Sequence, residues 1–600
     1  MNPIGKGTNE AFENRLTPVA NIPPHFIPSS FADGTSIGIG PKGQIAHKDL
    51  IAHSNRLEQK LWEVTDGVWC LVGNGLSNQT FIRGPEGLIA IDTGECYEEM
   101  ETALRLLRAK TKEPIVAVIY THFHYVDGTK AISEAERLTS IPIWGHEKII
   151  QNRRNYGMEM SAVAARGLIY QFGIALPPDG PDSVVNVGLG LSYRNQVHTP
   201  FTPGFLEPTN TFSQQTTTQL AGLEVELIPA PSDADDSVTI WFPELDLCVN
   251  NLVWPAFFNI FAIRGEEYRD PRTLLNGLDH LLELNPTYLV GTHGPPISGT
   301  KKIQHEVTNY RDSIQYLWDQ SVRGINQGLT ADELTSFVQL PDHFRHSYLT
   351  SQLYGVVEHH VRQIYSGLRG WFDGDEGNLF PSEPDSRVKK LINGFGGVEK
   401  VRAQVTTALE SNDLRWAIEL CSWLIRLRGA TPNAFEGSPS EDELLLANCL
   451  RKVAQQTTSA NIRNWCLTRA MVREGTLDLS RHHIHRFSEH VVLNNPPSSS
   501  VHALKVLLVP EFAESYNAEM RWEFSDGTRT GLSIRNQVAI PTVGVNANIS
   551  ISLTFQTWAK ILARKIPLTE AIESELLSSN ADTHEVLAFF AMFDHLGLNQ

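Results

Sequence analysis

Short apolar runs alternate with helical periodicities through the first part of the chain. FIRGPEGLIAIDTG (81–94) reads as strand, turn, strand with a Gly-rich end. EEMETALRLLRAK (98–110) places apolar residues at helical spacing, EPIVAVIYTH (113–122) is a β-branched run of the buried-strand type, and TKAISEAERL (129–138) is helical again. LEVELIPA, VTIWFPE and LDLCVNNLVW, between 223 and 254, read as three successive strands, and TYLVGTHG (287–294) as another buried one. Helices alternating with buried strands predict an α/β fold with α/β/β/α layers.

The pattern then changes. Residues 398–429 read as two helices around a short SND turn, and EDELLLANCLRKVAQQ and ANIRNWCLTRAMVREG continue it. Their apolar stripes need partners, which predicts helical-hairpin packing or a dimer interface. Farther on, YNAEMRWEF, SDG and TRTGLSIRN form a hairpin signal, with Asp-Gly between two alternating runs. NISISLTF follows, then a helix over 556–577, so the end of the chain reads as a small α+β domain. FDGDEGNLFPSEPDSR (372–387) and NNPPSSS (494–500) read as linkers or long loops. The expected division is 1–385, 386–478 and 479–600.

Composition narrows the function. Fifty Lys plus Arg against 68 Asp plus Glu give a net charge of −18, which argues against a nucleic-acid binder with a broad basic face. No apolar run approaches the length of a membrane-spanning helix. MNPIGKGTNEAFENRL has no apolar core of the secretory kind. The six cysteines are scattered with no CxxC pair, which fits reduced thiols in a cytoplasmic protein.

The sharpest chemical signal is THFH at 121–124. His122 and His124 follow a buried strand, and two residues apart on extended chain their side chains share one side. Such a pair can chelate one metal ion, or it can be two hydrogen-bonded structural histidines. Asp233, Asp235 and Asp236 lie in PSDADDS after a strand, Asn251 follows the strand LDLCVN, and His293 follows TYLVG. Ligands collect outside the carboxyl ends of strands in α/β sheets, so these residues could converge. Taken alone, the Asp run reads as a solvated acidic loop, the commoner case for any single such run.

IDTG (91–94), THFHYVDG (121–128) and GTHG (291–294) resemble the metallo-β-lactamase fold. YQFGIALPPDG (170–180), LEPTN (206–210), NIFAIRGEEYRDP (259–271), NQGLTADEL (326–334), YGVVEHHVRQIYSGLRGWFDG (354–374) and FGGVEKV (395–401) resemble the alkylsulfatases of that superfamily. The resemblance implies an αββα metallo-β-lactamase-like catalytic domain, an all-α dimerisation domain and a small α+β sterol-carrier-like domain. It also implies a homodimer and a small-molecule substrate with an apolar part.

The metal motif departs from the family's His-x-His-x-Asp-His. Val126 stands where an Asp belongs and Asp127 where a His belongs. Asp233 occupies the position of one family glutamate, Asn251 that of the bridging glutamate, and His293 that of the last histidine. The resemblance thus implies a first metal held by His122, His124 and Asp233. The second keeps only His293 and Asp127, beneath an uncharged bridge at Asn251. Two dications close together need anionic ligands between them, so one divalent metal is expected rather than two. Two histidines and a carboxylate suit zinc, and also non-haem iron.

By the same resemblance Arg264 and Asn210 contact the sulfate, and His359 is the general acid, with His360 one residue away. Tyr125 is a weaker catalytic candidate, and both it and Tyr170 read as aromatic core before catalysis. Trp254 falls at the site's rim, and His146 reads as a structural histidine. The expected activity is metal-dependent hydrolysis of a sulfate ester or related small apolar ester. The alternatives are a mononuclear metal enzyme performing a redox or lyase step, and a non-catalytic lipid- or partner-binding descendant.

Overall fold

The computed structural model describes residues 36–429 and 439–598. The amino-terminal stretch read above for a secretory signal lies outside them. The described residues fall into two compact units, one of residues up to Ile149 together with Leu168–Asp478, the other of Ile150–Gly167 together with the residues from Leu479 on.

The first unit is built on two sheets. One has seven strands in spatial order Lys60–Thr65, Val68–Val72, Gln79–Gly84, Gly87–Ile91, Ile115–Ile119, Ile143–His146 and Asn210–Phe212. The other has six, in order Thr216–Leu220, Leu223–Pro229, Val238–Phe242, Leu247–Asn250, Tyr288–Gly291 and Ile297–Ser298. Val68, Ile82, Ile89, Ile91 and Ile119 of the first sheet pack with Val225, Leu227, Ile240, Phe242 and Val290 of the second. The helices Tyr97–Leu107 and Thr129–Ala135 cover the outer face of the first sheet through Met100, Ala103, Leu107 and Ile132. Leu274, Leu278 and Leu281 of the helix Pro271–Leu284, with Ile303 and Val307 of Thr300–Asn326, pack with Ile228, Cys248 and Leu289 of the second.

This is the expected αββα sandwich. Val68–Val72, Gly87–Ile91 and Val238–Phe242 are buried at every residue, so they read as continuous apolar runs rather than alternating ones. Each such Val, Leu or Ile contributes about 1.5–3 kcal/mol by leaving water.

The topology sets the site. Ile115–Ile119 runs parallel to both Gly87–Ile91 and Ile143–His146, so Asp92, Thr121 and His122 lie just beyond neighbouring strand ends. Leu247–Asn250 runs parallel to Tyr288–Gly291, which brings Asn251 and His293 to the matching end of the second sheet. The loop between Leu223–Pro229 and Val238–Phe242 carries Asp233 to that end.

The helical segment follows in the same unit, with Val398–Glu410, Leu414–Leu427, Glu441–Gln456 and Ala460–Arg473 closing around Val401, Leu420, Leu424, Leu450 and Leu467. In the second unit the five-stranded sheet has order Val538–Thr542, Arg529–Arg535, Ala518–Phe524, Ile549–Leu553 and Leu577–Ser579. Trp522, Trp558, Phe589 and Phe590 fill its core. The Asp526-Gly527 hairpin is present, with Gly527 at φ +88°.

Three expectations fail locally. The stretch 372–387 is not all linker: it contains the helix Glu376–Leu379 and opens another at Pro384. Within 494–500, Pro497 starts the helix Pro497–Ala503, because a first-turn proline loses no helical hydrogen bond. The helix expected over 556–577 is two, Phe555–Leu562 and Leu568–Glu573, separated where Arg564 turns left-handed and Pro567 precedes the second. No helix among the described residues is long and apolar enough to cross a membrane. All six cysteines are buried free thiols.

Candidate metal centre

His122, His124 and Asp233 meet. Their ligand atoms lie within 4.8 Å of one another, and no other group of three or more His, Cys, Asp or Glu does so among the described residues. His124 Nδ1 is 3.3 Å and His122 Nε2 3.8 Å from Asp233 Oδ2.

The orientation of His122 is held from behind. Thr121 donates its hydroxyl to Asp92 Oδ2 at 2.6 Å and its backbone N–H to Oδ1 at 2.8 Å. With its proton committed, the Thr121 oxygen accepts from His122 Nδ1 at 2.9 Å. That assigns the proton to Nδ1 and leaves the Nε2 lone pair facing the cluster, buried and without a hydrogen-bond partner. Asp92 reaches Thr121 by leaving its strand with φ +56°, a conformation Asp tolerates better than most residues.

His293 follows the same logic. Its Nδ1 donates to the Leu76 carbonyl at 2.9 Å, and its buried Nε2 has no partner. It stands outside the three-residue cluster but shares an aromatic wall with it: the Tyr125 ring meets His122 at 5.1 Å and His293 at 5.3 Å, edge to face in both cases.

Burial pushes His122 down to about 3 and His293 to about 4, so both imidazoles are neutral. Burial alone would raise Asp233, but the adjoining His122 and His124 outweigh it and hold the carboxyl well below its usual range. Neutral imidazoles beside an ionised carboxylate are the protonation states a metal ion requires. The buried, unpartnered Nε2 atoms and the donor set therefore fit a divalent ion.

Other candidates divide. Asn251 is at the cluster, but as a donor: its Nδ2 lies 2.6 Å from Asp233 Oδ1 and 3.0 Å from Ser232 Oγ, while its oxygen accepts from Trp254 Nε1 at 3.2 Å. Asp127 is half-buried outside the cluster, and its charge acts on Glu95 and Arg194. Asp235 pairs with Lys148 at 2.7 Å. Asn210 is exposed on the edge strand, and its side chain accepts from Thr209 at 2.9 Å; no hydrogen bond joins it to the cluster. Tyr170 packs on Trp465 at 5.9 Å, and buried His146 accepts from the Lys148 backbone N–H.

Two adjacent histidines separate cleanly. His360 is structural: Nε2 donates to the Phe258 carbonyl at 2.6 Å, and Nδ1 accepts from the Phe261 N–H at 3.4 Å. His359 has no such ties. It is half-buried, edge-on to Phe261 at 5.4 Å, with its pKa lowered by burial.

Arg264 is ion-paired with Glu266, Nη2 to Oε1 at 2.5 Å, and both side chains are 9% exposed. Sequence reasoning missed the Asp92–Thr121 relay and the buried Glu99, which accepts from Gln79 at 2.7 Å and the Glu95 N–H at 3.2 Å. Neither carries a spacing signal; Glu99 reads as one acid in a helical first turn.

Residues 72–249 match the family described as Metallo-beta-lactamase superfamily, and residues 330–475 match Alkyl sulfatase dimerisation. A linear primary-alkylsulfatase of a Pseudomonas species is 34% identical over 407 residues, covering 66% of this chain and 74% of that protein. An (R)-specific secondary-alkylsulfatase of Pseudomonas is 26% identical over 551 residues, covering 89% of this chain and 80% of that one. The solved structure of the stereoselective inverting sec-alkylsulfatase Pisa1 from Pseudomonas superposes with a TM-score of 0.81 at 23% identity, over 98% of this chain and 94% of that one, a likeness of fold. Superfamily membership brings divalent-metal binding, for which the cluster is suited. The chain thus belongs to the alkylsulfatase family of the metallo-β-lactamase superfamily, whose members are metal-dependent hydrolases.

Proposed function

We propose that this chain hydrolyses sulfate esters of small apolar alcohols with one zinc ion per chain, held by His122, His124 and Asp233. The observation that supports it most is the buried cluster itself, with ligand atoms within 4.8 Å and the His122 Nε2 lone pair unshared. A bound divalent ion supplies Lewis acidity there and lowers the pKa of water toward neutrality. Thr121 and Asp92 orient His122, and Asn251 holds Asp233 in place. His293, through its free Nε2, lends a further donor beside the cluster. His359, unbound and half-buried, is the general acid of this reading and hands its proton to the departing alcohol oxygen.

A single ion follows from charge. The bridging position carries an amide, Val126 offers no ligand, and Asp127 stands outside the cluster, so a second dication would lack anionic support. The alkylsulfatase relatives weigh against the redox, lyase and non-catalytic alternatives. The dimerisation match supports a homodimer, and six buried free cysteines support a cytoplasmic setting.

Elemental analysis of protein purified without added metal tests this. About one zinc per chain is expected, with both metal and alkyl-sulfate turnover lost in a His122→Ala, His124→Ala variant that keeps its far-UV spectrum. Two ions per chain would refute the reading of Val126 and Asn251, iron would redirect the assay to oxygen consumption, and full turnover by the double variant would end the metal-site reading.

A further inference from the structure

Arg264, the guanidinium that sequence resemblance selects for the sulfate, is already neutralised by Glu266. Arg269 is in the opposite condition. It is 7% exposed, and its Nη1 donates to the backbone oxygen of Asn259 at 2.9 Å and to the side-chain oxygen at 2.5 Å. Among the described residues its buried Nε and Nη2 hydrogen-bond to nothing, and no carboxylate lies within 4.0 Å of the guanidinium. A guanidinium carries five N–H donors, so the whole Nε–Nη2 edge is left unmatched.

A buried charge without a partner is expensive, and native structures retain one where a ligand completes it. The position of Arg269 says which ligand. The Phe258 ring under its guanidinium packs on Trp254 at 4.4 Å, and Trp254 meets His293 at 5.5 Å, so Arg269 stands beside the metal cluster, and its charge is felt at His122 and Asp233. Nε–H and one Nη2–H point the same way and are spaced for two oxygens of one oxyanion. The Phe258 ring, 6.0 Å from Cζ, backs the guanidinium.

We infer that Arg269, through its Nε–Nη2 edge, is the principal anion-binding residue of the site and grips two oxygens of the substrate's sulfate. Arg264, bound to Glu266, shapes the pocket instead. The sulfate's being part of a substrate rests on the proposed function; the oxyanion grip itself does not.

The test is calorimetric titration of the metal-loaded protein with sodium sulfate, beside steady-state kinetics on an alkyl sulfate. Arg269→Gln is expected to weaken sulfate binding and raise KM by about tenfold or more, and Arg269→Lys, which keeps the charge but loses the fork, by several-fold. Arg264→Gln should change sulfate affinity less than either. Thermal stability separates this from a scaffolding role: Arg269→Gln removes unmatched buried donors and should hold or raise the melting temperature, whereas a structural arginine would lower it. Should the Gln variant fail to fold, that outcome counts against the inference, as would wild-type sulfate affinity in Arg269→Lys or no sulfate binding by the wild type. Arg269-dependent sulfate binding without turnover would sink the proposed function and leave this inference standing. Turnover with sulfate affinity indifferent to residue 269 would do the reverse.

Discussion

Asn251 does with an amide what a carboxylate could not. Its N–H grips Asp233 at 2.6 Å while its oxygen is committed to Trp254. Asn251→Asp would replace that bond with two facing carboxylates, each raising the other's pKa. The metal-free variant should be about 1–3 kcal/mol less stable, and added zinc should recover most of the loss. Urea unfolding with and without zinc checks this; equal stability in both states would show that residue 251 does not face the ligands. His360 and His53 make a separate case, outside the ligand set. Burial lowers them to about 3 and about 4, so the unfolded chain takes up the extra protons as acid is added. Their stabilisation is present above pH 6.5 and is lost as pH falls toward those values, by about 1.4 kcal/mol per pH unit for each. Urea midpoints at pH 7 and 5.5 should drop accordingly in the wild type. His360→Gln should be less stable at pH 7 but fall less steeply, and parallel slopes would contradict the assignment.

Strand ends, not helices, deliver most of the chemistry. Parallel pairing of Ile115–Ile119 with its neighbours places the Thr121-His122 pair beside Asp92 without any long-range design beyond register. Both histidines were legible because they sit two apart after a β-branched run. Local pattern did not separate Asp233 from Asp235 and Asp236, since a loop's direction depends on what it packs against; the family resemblance singled it out, and the structure brings it to the two histidines. Some helix starts are set by local chemistry. Thr330 accepts from the Glu333 N–H while the Glu333 carboxylate accepts from the Thr330 N–H, a reciprocal cap visible in the string TADE. Thr330→Ala should cost about 1 kcal/mol in denaturant unfolding, with activity retained. Loss below a few tenths would mean that the Glu333 contact alone holds the helix end.

The molecule leaves large apolar side chains in water within the segment that matches the dimerisation family. Trp371 is 75% and Phe380 85% exposed. Exposed aromatics of this size mark interaction surfaces more often than chance placements. Light scattering should give twice the 66.9 kDa of one chain, and Trp371→Asp with Phe380→Asp should shift the protein toward monomer while leaving its circular dichroism unchanged. A variant that remains dimeric would place the interface elsewhere in that segment.

The order of strands and helices, the histidine pair, the helical middle and the closing hairpin were all written in local patterns: period, turn residues and β-branched runs depend on neighbours a few positions apart. Val126 and Asn251 stand where the family resemblance implies acidic ligands, and their lack of charge is plain from the residues themselves. Pairing was not. Arg264 and Arg269 lie five residues apart in one motif, yet Glu266 neutralises the first, while the second bonds only Asn259 through Nη1 and keeps its Nε–Nη2 edge unmatched among the described residues. His359 and His360 are neighbours, yet only His360 finds the carbonyl of Phe258, about a hundred positions away. Which of two like side chains is spent on structure and which is left for a ligand depends on contacts between distant segments, and those exist only once the sheets have packed.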